Sequence, residues 1–167
     1  MTGRLKRWIL GDQQTIAGTV YGTIIVMSII AAGAHAYEDH LWRLIVLAGG
    51  SAAVLWLAHV YSHALGESLS LGRRITLEEV GSIARREFAV IAAAIIPLVA
   101  VALGATDLLA HRTAVKLALW LGVAVLAAQG IRYARLERLS PTATIVTIGL
   151  NLAIGLALVA LEVLIAH

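Results

Sequence analysis

The chain has 167 residues, of which 60% are hydrophobic and only 14% are charged. A soluble domain carries about a quarter charged residues, so the composition excludes an ordinary soluble domain and favours one membrane domain. The net charge is +3, but the basic residues stand at the ends of apolar runs, where membrane topology explains them better than nucleic-acid binding does. The absence of cysteine excludes disulfides and thiolate metal ligands.

Five apolar runs follow one another along the chain, each close to the length of about 20 residues that a helix needs to cross a bilayer. They predict an all-α polytopic membrane bundle with spans at 16–34, 44–65, 88–105, 117–131 and 145–166. The first run follows basic residues and resembles a secretory signal. The polar segment GDQQT separates it from them, and we expect an uncleaved span.

The orientation of the spans is predicted from the basic residues, which collect on the cytoplasmic side of membrane proteins. With the N-terminus inside, three basic residues fall outside: Arg43, Arg112 and Lys116. Ten fall inside: Arg4, Lys6, Arg7, Arg73, Arg74, Arg85, Arg86, Arg132, Arg135 and Arg138. We therefore expect a cytoplasmic N-terminus and an external C-terminus.

The loop between the second and third spans contains the sequence TLEE, from Thr76 to Glu79, which is a capping box. It predicts the start of a helix, and apolar residues then recur at helical spacing over 76–87. This segment is expected to lie on the cytoplasmic membrane surface and to run into the third span. Pro97 is expected to kink that span. Ser140 followed by Pro141 predicts a sharp start for the fifth.

The stretch LWLAHVYSHALGE places His59, His63 and Glu67 at positions i, i+4 and i+8, on one face of the second span. Imidazoles at i and i+4 can chelate one divalent metal ion, with Glu67 or Glu87 as a third ligand. Two histidines on facing helices could instead bind haem axially. The structural alternative is that these side chains hydrogen-bond to a neighbouring helix and stabilise packing.

Polar residues are concentrated in the predicted cytoplasmic halves of four spans. Polar side chains inside a bilayer tend to face the bundle interior or water, so we predict one pocket that opens to the cytoplasm. Its candidate pathway or binding residues are His59, Ser62, His63, Glu67, Glu87, Gln129 and Asn151. Glu162, near the outer end of the fifth span, shares a face with Asn151 and is either an outer gate or simply solvated.

This arrangement, with LWLAHVYSHALGE followed by a basic amphipathic loop and a proline-containing span, resembles small multi-pass membrane proteins of GC-rich actinobacterial genomes. The resemblance covers most of the chain and rests on the overall pattern and this one stretch. It implies a bacterial plasma membrane and implies no activity.

Three functions are compatible with the residues. The favoured one is a proton or cation channel or transporter, embedded in the lipid bilayer as a homo-oligomer, because five short spans leave one subunit little room for a pathway. The second is a membrane protein or enzyme that binds a metal or haem, with His59, His63, Glu67 and Glu87 as metal ligands. The third is a non-catalytic accessory subunit. No catalytic site is assigned, and binding or transport is favoured over enzymatic activity.

Overall fold

The structure is a computed structural model, and it describes residues 13–37 and 39–165. This part of the chain forms six α-helices and no strand. They are α1 (Gln13–Gly33), α2 (Leu41–Leu71), α3 (Leu77–Glu87), α4 (Ala89–Ala105), α5 (His111–Leu136) and α6 (Pro141–Ile165).

Five helical segments are long and apolar enough to cross a membrane, which confirms the predicted all-α bundle of five spans. Only Phe88 separates α3 from α4, and together they form the third candidate span, Leu77–Ala105. The orientation of the chain in the membrane stays a prediction. We call the end of the bundle that carries loops 72–76 and 137–140 the arginine end. The end that carries the connection from α1 to α2 and the loop 106–110 is called the histidine end.

The second and fourth spanning helices, α2 and α5, are longer than the apolar runs from which they were predicted. Hydropathy marks the residues that favour lipid, whereas a helix continues wherever backbone hydrogen bonds and side chains permit. At 1.5 Å per residue, the 31 residues of α2 reach about 46 Å, against about 30 Å of hydrocarbon. The helix is therefore longer than a span that crosses this thickness upright, and Gly72 ends it in a left-handed conformation.

The short helix α3 begins as the capping box predicted. The Thr76 hydroxyl accepts a hydrogen bond from the Glu79 amide, and the Glu79 carboxylate accepts one from the Thr76 amide. Arg73 in the preceding loop also pairs with that carboxylate, with Nη2 2.7 Å from Oε1. These contacts fix the direction in which α3 leaves the loop after α2.

The centre of the bundle consists of α1, α4 and α5, with α2 packed on one side and α6 on the other. Gly22 of α1 lies directly against the carbonyl oxygen of Val90 in α4, so that a β-carbon at this position would collide with the backbone. Gly18, one turn earlier, lies against Ala89. The GxxxG pair of α1 therefore serves close helix packing within one subunit.

A layer of fully buried apolar side chains closes the middle of the bundle. Its largest members are Met27, Ile30, Leu44, Leu119 and Leu126. By contrast, Gly155 is the only buried residue of α6, and most of that helix faces outward. The polar residues predicted to be functional lie on either side of this layer, with Glu162 towards the histidine end and the others towards the arginine end.

Candidate functional site

A groove of about 340 Å³ lies between α2 and α3 at the arginine end. Because α2 extends past the apolar part of its span, α3 has a helical surface on which to pack, and polar side chains from both helices meet there. The groove is lined by Ser62, His63, Gly66, Glu67, Ser70, Ile83, Arg86 and Glu87. Four of the residues predicted from the sequence are thus brought together: Ser62, His63, Glu67 and Glu87.

The closest contact in this groove joins His63 of α2 to Glu87 of α3. The Nδ1 atom of His63 lies 2.9 Å from Oε1 of Glu87, a charge-assisted hydrogen bond when the imidazole is protonated. Glu87 is 8% exposed, whereas the His63 side chain is 56% exposed. The pair therefore connects a buried carboxylate to a solvent- or headgroup-accessible imidazole.

Two further contacts hold α3 against α2 beside this pair. The indole N–H of Trp56 donates a hydrogen bond of 3.0 Å to the carbonyl oxygen of Ala84, and the side chain of Ile83 is buried. Glu67 lies farther along the groove, with its Oε2 3.9 Å from Nη2 of Arg86. The position of Glu87 is therefore set by the packing of α3 and not by His63 alone.

His59 lies one turn before His63 on α2 and faces α1. Its ring centroid is 5.2 Å from that of Tyr21 and 6.3 Å from that of His63. Its Nδ1 is 3.0 Å from the carbonyl oxygen of Leu55, and when Nδ1 donates to this oxygen the neutral ring keeps Nε2 as an acceptor. The side chains of Tyr21, His59, His63 and Glu87 form one row. We call it the histidine row, and it lies at the arginine end of the bundle.

A second groove, of about 410 Å³, lies between α1, α5 and α6. It contains the predicted residues Gln129 and Asn151, together with Tyr21, Tyr133 and Thr147. Gln129 is 7% exposed and accepts a hydrogen bond of 3.1 Å from Arg132. The amide nitrogen of Asn151 lies 2.8 Å from the place a β-carbon would take on Gly130, so a side chain there would displace this amide.

Six of the seven residues predicted to share one pocket are thus divided between two grooves, and His59 lines neither of them. Tyr21 is common to the histidine row and to the second groove, and it is the link that the sequence reasoning missed. The threonines of α1 take no part, because Thr19 and Thr23 donate to the carbonyl oxygens four residues earlier. Such internal bonds satisfy a hydroxyl in a membrane helix without any pocket.

The four residues predicted as metal ligands do not meet at one point. Only His63 and Glu87 are in contact, while Nδ1 of His59 is bonded to a carbonyl and Glu67 is directed towards Arg86. Among residues 13–37 and 39–165, no three histidine, aspartate or glutamate side chains are gathered for a metal ion. The predicted metal site stays a prediction, and His63 with Glu87 is the part of it that the structure brings together.

Glu162, the predicted residue of the outer half, lies at the histidine end in a cavity of about 220 Å³. It shares this cavity with His35, His111, Arg112 and Lys116. None of these four was predicted as a site residue. A signal for the basic pair was present in the sequence, since Arg112 and Lys116 are four residues apart and share a helix face.

No family model matches the chain, and no match was found among the curated proteins or the solved structures.

Proposed function

We propose that the protein is a small proton channel or transporter of a bacterial plasma membrane, and that the histidine row is the proton path at its arginine end. The observation that carries this proposal is the 2.9 Å contact between His63 and the buried carboxylate of Glu87, with His59 one turn away. Intramembrane histidine and glutamate side chains are costly, and in pumps and transporters such chains relay protons.

The chemistry of the row suits proton transfer in both directions. A proton that arrives from water at His63 can be exchanged with Glu87, since the hydrogen bond joins a base to a carboxylate. His59 is separated from His63 by 6.3 Å between ring centroids. At that distance a proton passes from ring to ring through a bridging water. An imidazole ring can accept a proton at one nitrogen and donate one from the other, which suits it to each of these steps.

Beyond His59 the path continues to Tyr21 and the second groove, where Gln129 and Asn151 supply polar atoms. The buried layer around Met27 and Leu126 then separates this groove from the histidine end. Conduction through the whole membrane consequently requires a movement that opens this layer, as in an alternating-access transporter, or a route along the surface of α6.

A homo-oligomer is part of the proposal, because α6 offers a nearly unpacked apolar face next to the second groove. Leu150 and Ile154 are exposed on α6, near Asn151. A second copy on this face would cover the groove and complete its wall. Native mass spectrometry from mild detergent is expected to give a dimer or larger assembly, and a monomer at every concentration would contradict this part of the proposal.

Proton flux in proteoliposomes with an internal pH dye and a potassium diffusion potential tests the function. Wild-type protein is expected to acidify or alkalinise the lumen according to the sign of the potential. We expect H59Q and E87Q to lower the rate about tenfold or more, because proton transfer by a positioned side chain contributes at least about 10²-fold. Potassium, sodium and divalent flux, measured in parallel, should stay at background.

Two variants serve as matched controls for that experiment. His40 lies in the loop before α2, and its side chain makes no capping bond, while Glu67 lies in the same groove as Glu87 but outside the row. H40Q and E67Q should therefore leave the proton rate unchanged. Wild-type protein that gives no proton flux in either orientation would overturn the proposal and would favour an accessory subunit.

A metal-binding function is the second candidate, and the contact between His63 and Glu87 is the observation that favours it. One imidazole and one carboxylate are two of the three protein ligands that catalytic zinc sites use. Equilibrium dialysis with Zn²⁺ should give about one ion per chain in wild-type protein and a lower value in H63Q. A stoichiometry near zero in the wild type would exclude the metal-binding function.

A further inference from the structure

The cavity at the histidine end is formed by four helices and reaches the core of the bundle. Its floor consists of the buried side chains Ala31, Leu41 and Val115. Ala31 on α1 and Ala34, which follows the helix, are small and leave space, while Val163 and Ile165 close the side formed by α6. The cavity therefore combines an apolar interior with a mouth at the end of the spans.

Charged side chains of both signs surround this mouth. Arg112 and Lys116 stand one turn apart on α5, and Glu162 faces the same cavity from α6. Within the part of the chain that the structure describes, no ion pair joins Glu162 to Arg112 or Lys116. The positive and negative groups thus share one cavity without neutralising each other by direct contact.

Two histidines complete the polar lining. His111, the first residue of α5, has its Nε2 3.5 Å from Oδ1 of Asp107, which lies in the loop before the helix. His35 lines the cavity from the residues that follow α1. His111 is therefore partly engaged by a carboxylate outside the cavity, and the permanent charges available to a ligand are those of Arg112, Lys116 and Glu162.

The depth of the cavity in the membrane follows from the helix ends. The first turn of α5 and the last turn of α6 border it, and both belong to candidate spans that end there. Charged residues at the ends of spans lie at the level of the lipid headgroups. In a bilayer crossed by these spans, a ligand in this cavity would meet the headgroup layer and, through Val163 and Ile165, the apolar region below.

We propose that this cavity binds a zwitterionic ligand in which a phosphate ester and a primary ammonium group are a few bonds apart. Arg112 and Lys116 would bind the phosphate oxygens, since guanidinium and ammonium groups are the usual protein partners of phosphate. Glu162 would bind the ammonium group. A purely anionic ligand would be repelled by Glu162, and a purely cationic one by the two basic residues.

This ligand chemistry has two sources, the headgroup of phosphatidylethanolamine and free phosphoethanolamine. The inference does not depend on proton conduction, because it rests on residues at the opposite end of the bundle. It is tested by binding alone. Purified protein in mild detergent is titrated with short-chain phosphatidylethanolamine, phosphatidylglycerol or free phosphoethanolamine, and bound ligand is counted by native mass spectrometry.

Wild-type protein is expected to bind phosphatidylethanolamine about tenfold more tightly than phosphatidylglycerol, the ratio that corresponds to one lost charge-assisted contact. R112Q and K116Q should each weaken the binding of both lipids by a similar factor. E162Q should abolish the preference, because it weakens the binding of phosphatidylethanolamine and strengthens the binding of phosphatidylglycerol. R43Q removes an exposed arginine at the same end but outside the cavity. It should leave the affinities for both lipids unchanged.

Competition by free phosphoethanolamine would identify the headgroup alone as the ligand, whereas binding of the lipid without such competition would show that the acyl chains are also needed. Either result supports the assignment. Equal affinity of wild-type protein for the two lipids, or an equal loss in R43Q and R112Q, would overturn it. The E162Q variant keeps the inference falsifiable if a basic-residue variant fails to fold, since the Glu162 side chain makes no ion pair with another described residue.

Discussion

The two ends of the bundle use their charged residues differently. At the arginine end, Glu87 pairs with His63, and Glu79 pairs with Arg73. At the histidine end, Arg112, Lys116 and Glu162 border a cavity without pairing with one another. Charged groups that are paired within the protein fix a local structure, while charged groups left around a cavity are available to a ligand. The comparison predicts that substitutions will affect stability at the first end and binding at the second.

The largest effect on the paired arrangement is expected from I83A. Ile83 is 1% exposed where α3 packs on α2, and removal of a buried isoleucine side chain to alanine costs about 2 to 5 kcal/mol. We expect α3 to detach and the 72–76 loop to become sensitive to trypsin at Arg73 and Arg74. The matched variant L77A changes a residue of the same helix that is 91% exposed. Equal protease sensitivity of the two variants would show that α3 is not held by this packing.

The capping box gives the second prediction. T76A removes the hydroxyl that accepts from the Glu79 amide, and the loss of such a cap costs about 1 kcal/mol. Thermal unfolding followed by circular dichroism should show a lower midpoint for T76A. T142A, in the first turn of α6 and exposed, is the control and should leave the midpoint unchanged. A T76A midpoint equal to that of wild type would mean that the capping box does not contribute to stability.

A third substitution tests the indole hydrogen bond between α2 and α3. W56F keeps an aromatic ring but loses the N–H that donates to Ala84, and an intramolecular hydrogen bond contributes about 1 kcal/mol or less. Hydrogen exchange of the α3 amides should become faster in W56F. W120F, at an exposed position of α5, should not alter it. Unchanged hydrogen exchange in W56F would show that this hydrogen bond does not help to hold α3 against α2.

The smallest effect on stability is expected at the histidine end. Glu162 makes no ion pair with the neighbouring basic residues that the structure describes, so E162Q should change the unfolding free energy by no more than about 0.5 kcal/mol, as is usual for such sites. Denaturation in the absence of added lipid measures this change. A loss of several kcal/mol would show that Glu162 is a structural partner and would remove the contrast between the two ends.

The parts of the fold that depend on local sequence were predictable. Five spans follow from apolar runs, and the start of α3 follows from Thr76 and Glu79, because hydropathy and capping act over one helix or one turn. The length of α2 was not predictable from hydropathy, since its last turns are helical without being apolar. The contact of His63 with Glu87 was anticipated only in the sense that both were predicted as ligands of one metal ion and as residues of one pocket.

The lateral arrangement of the helices was the part that one sequence could not provide. The spans are apolar on most of their surface, so their periodicity does not reveal which face meets which neighbour. For this reason Asn151 was placed with His59, although the two lie in different surroundings. The cavity around Glu162 was missed for the same reason, because its residues come from segments that are far apart in the chain.

One consequence of the unbroken length of α2 concerns the relation between the two ends. Leu41, its first residue, lies in the floor of the cavity, and His63, 22 residues later, belongs to the groove. These positions are about 33 Å apart along the axis. If α2 shifts as a rod, a ligand that displaces Leu41 also changes the distance between His63 and Glu87, and linkage makes this effect reciprocal. Lipid composition would then tune proton affinity at the opposite membrane surface.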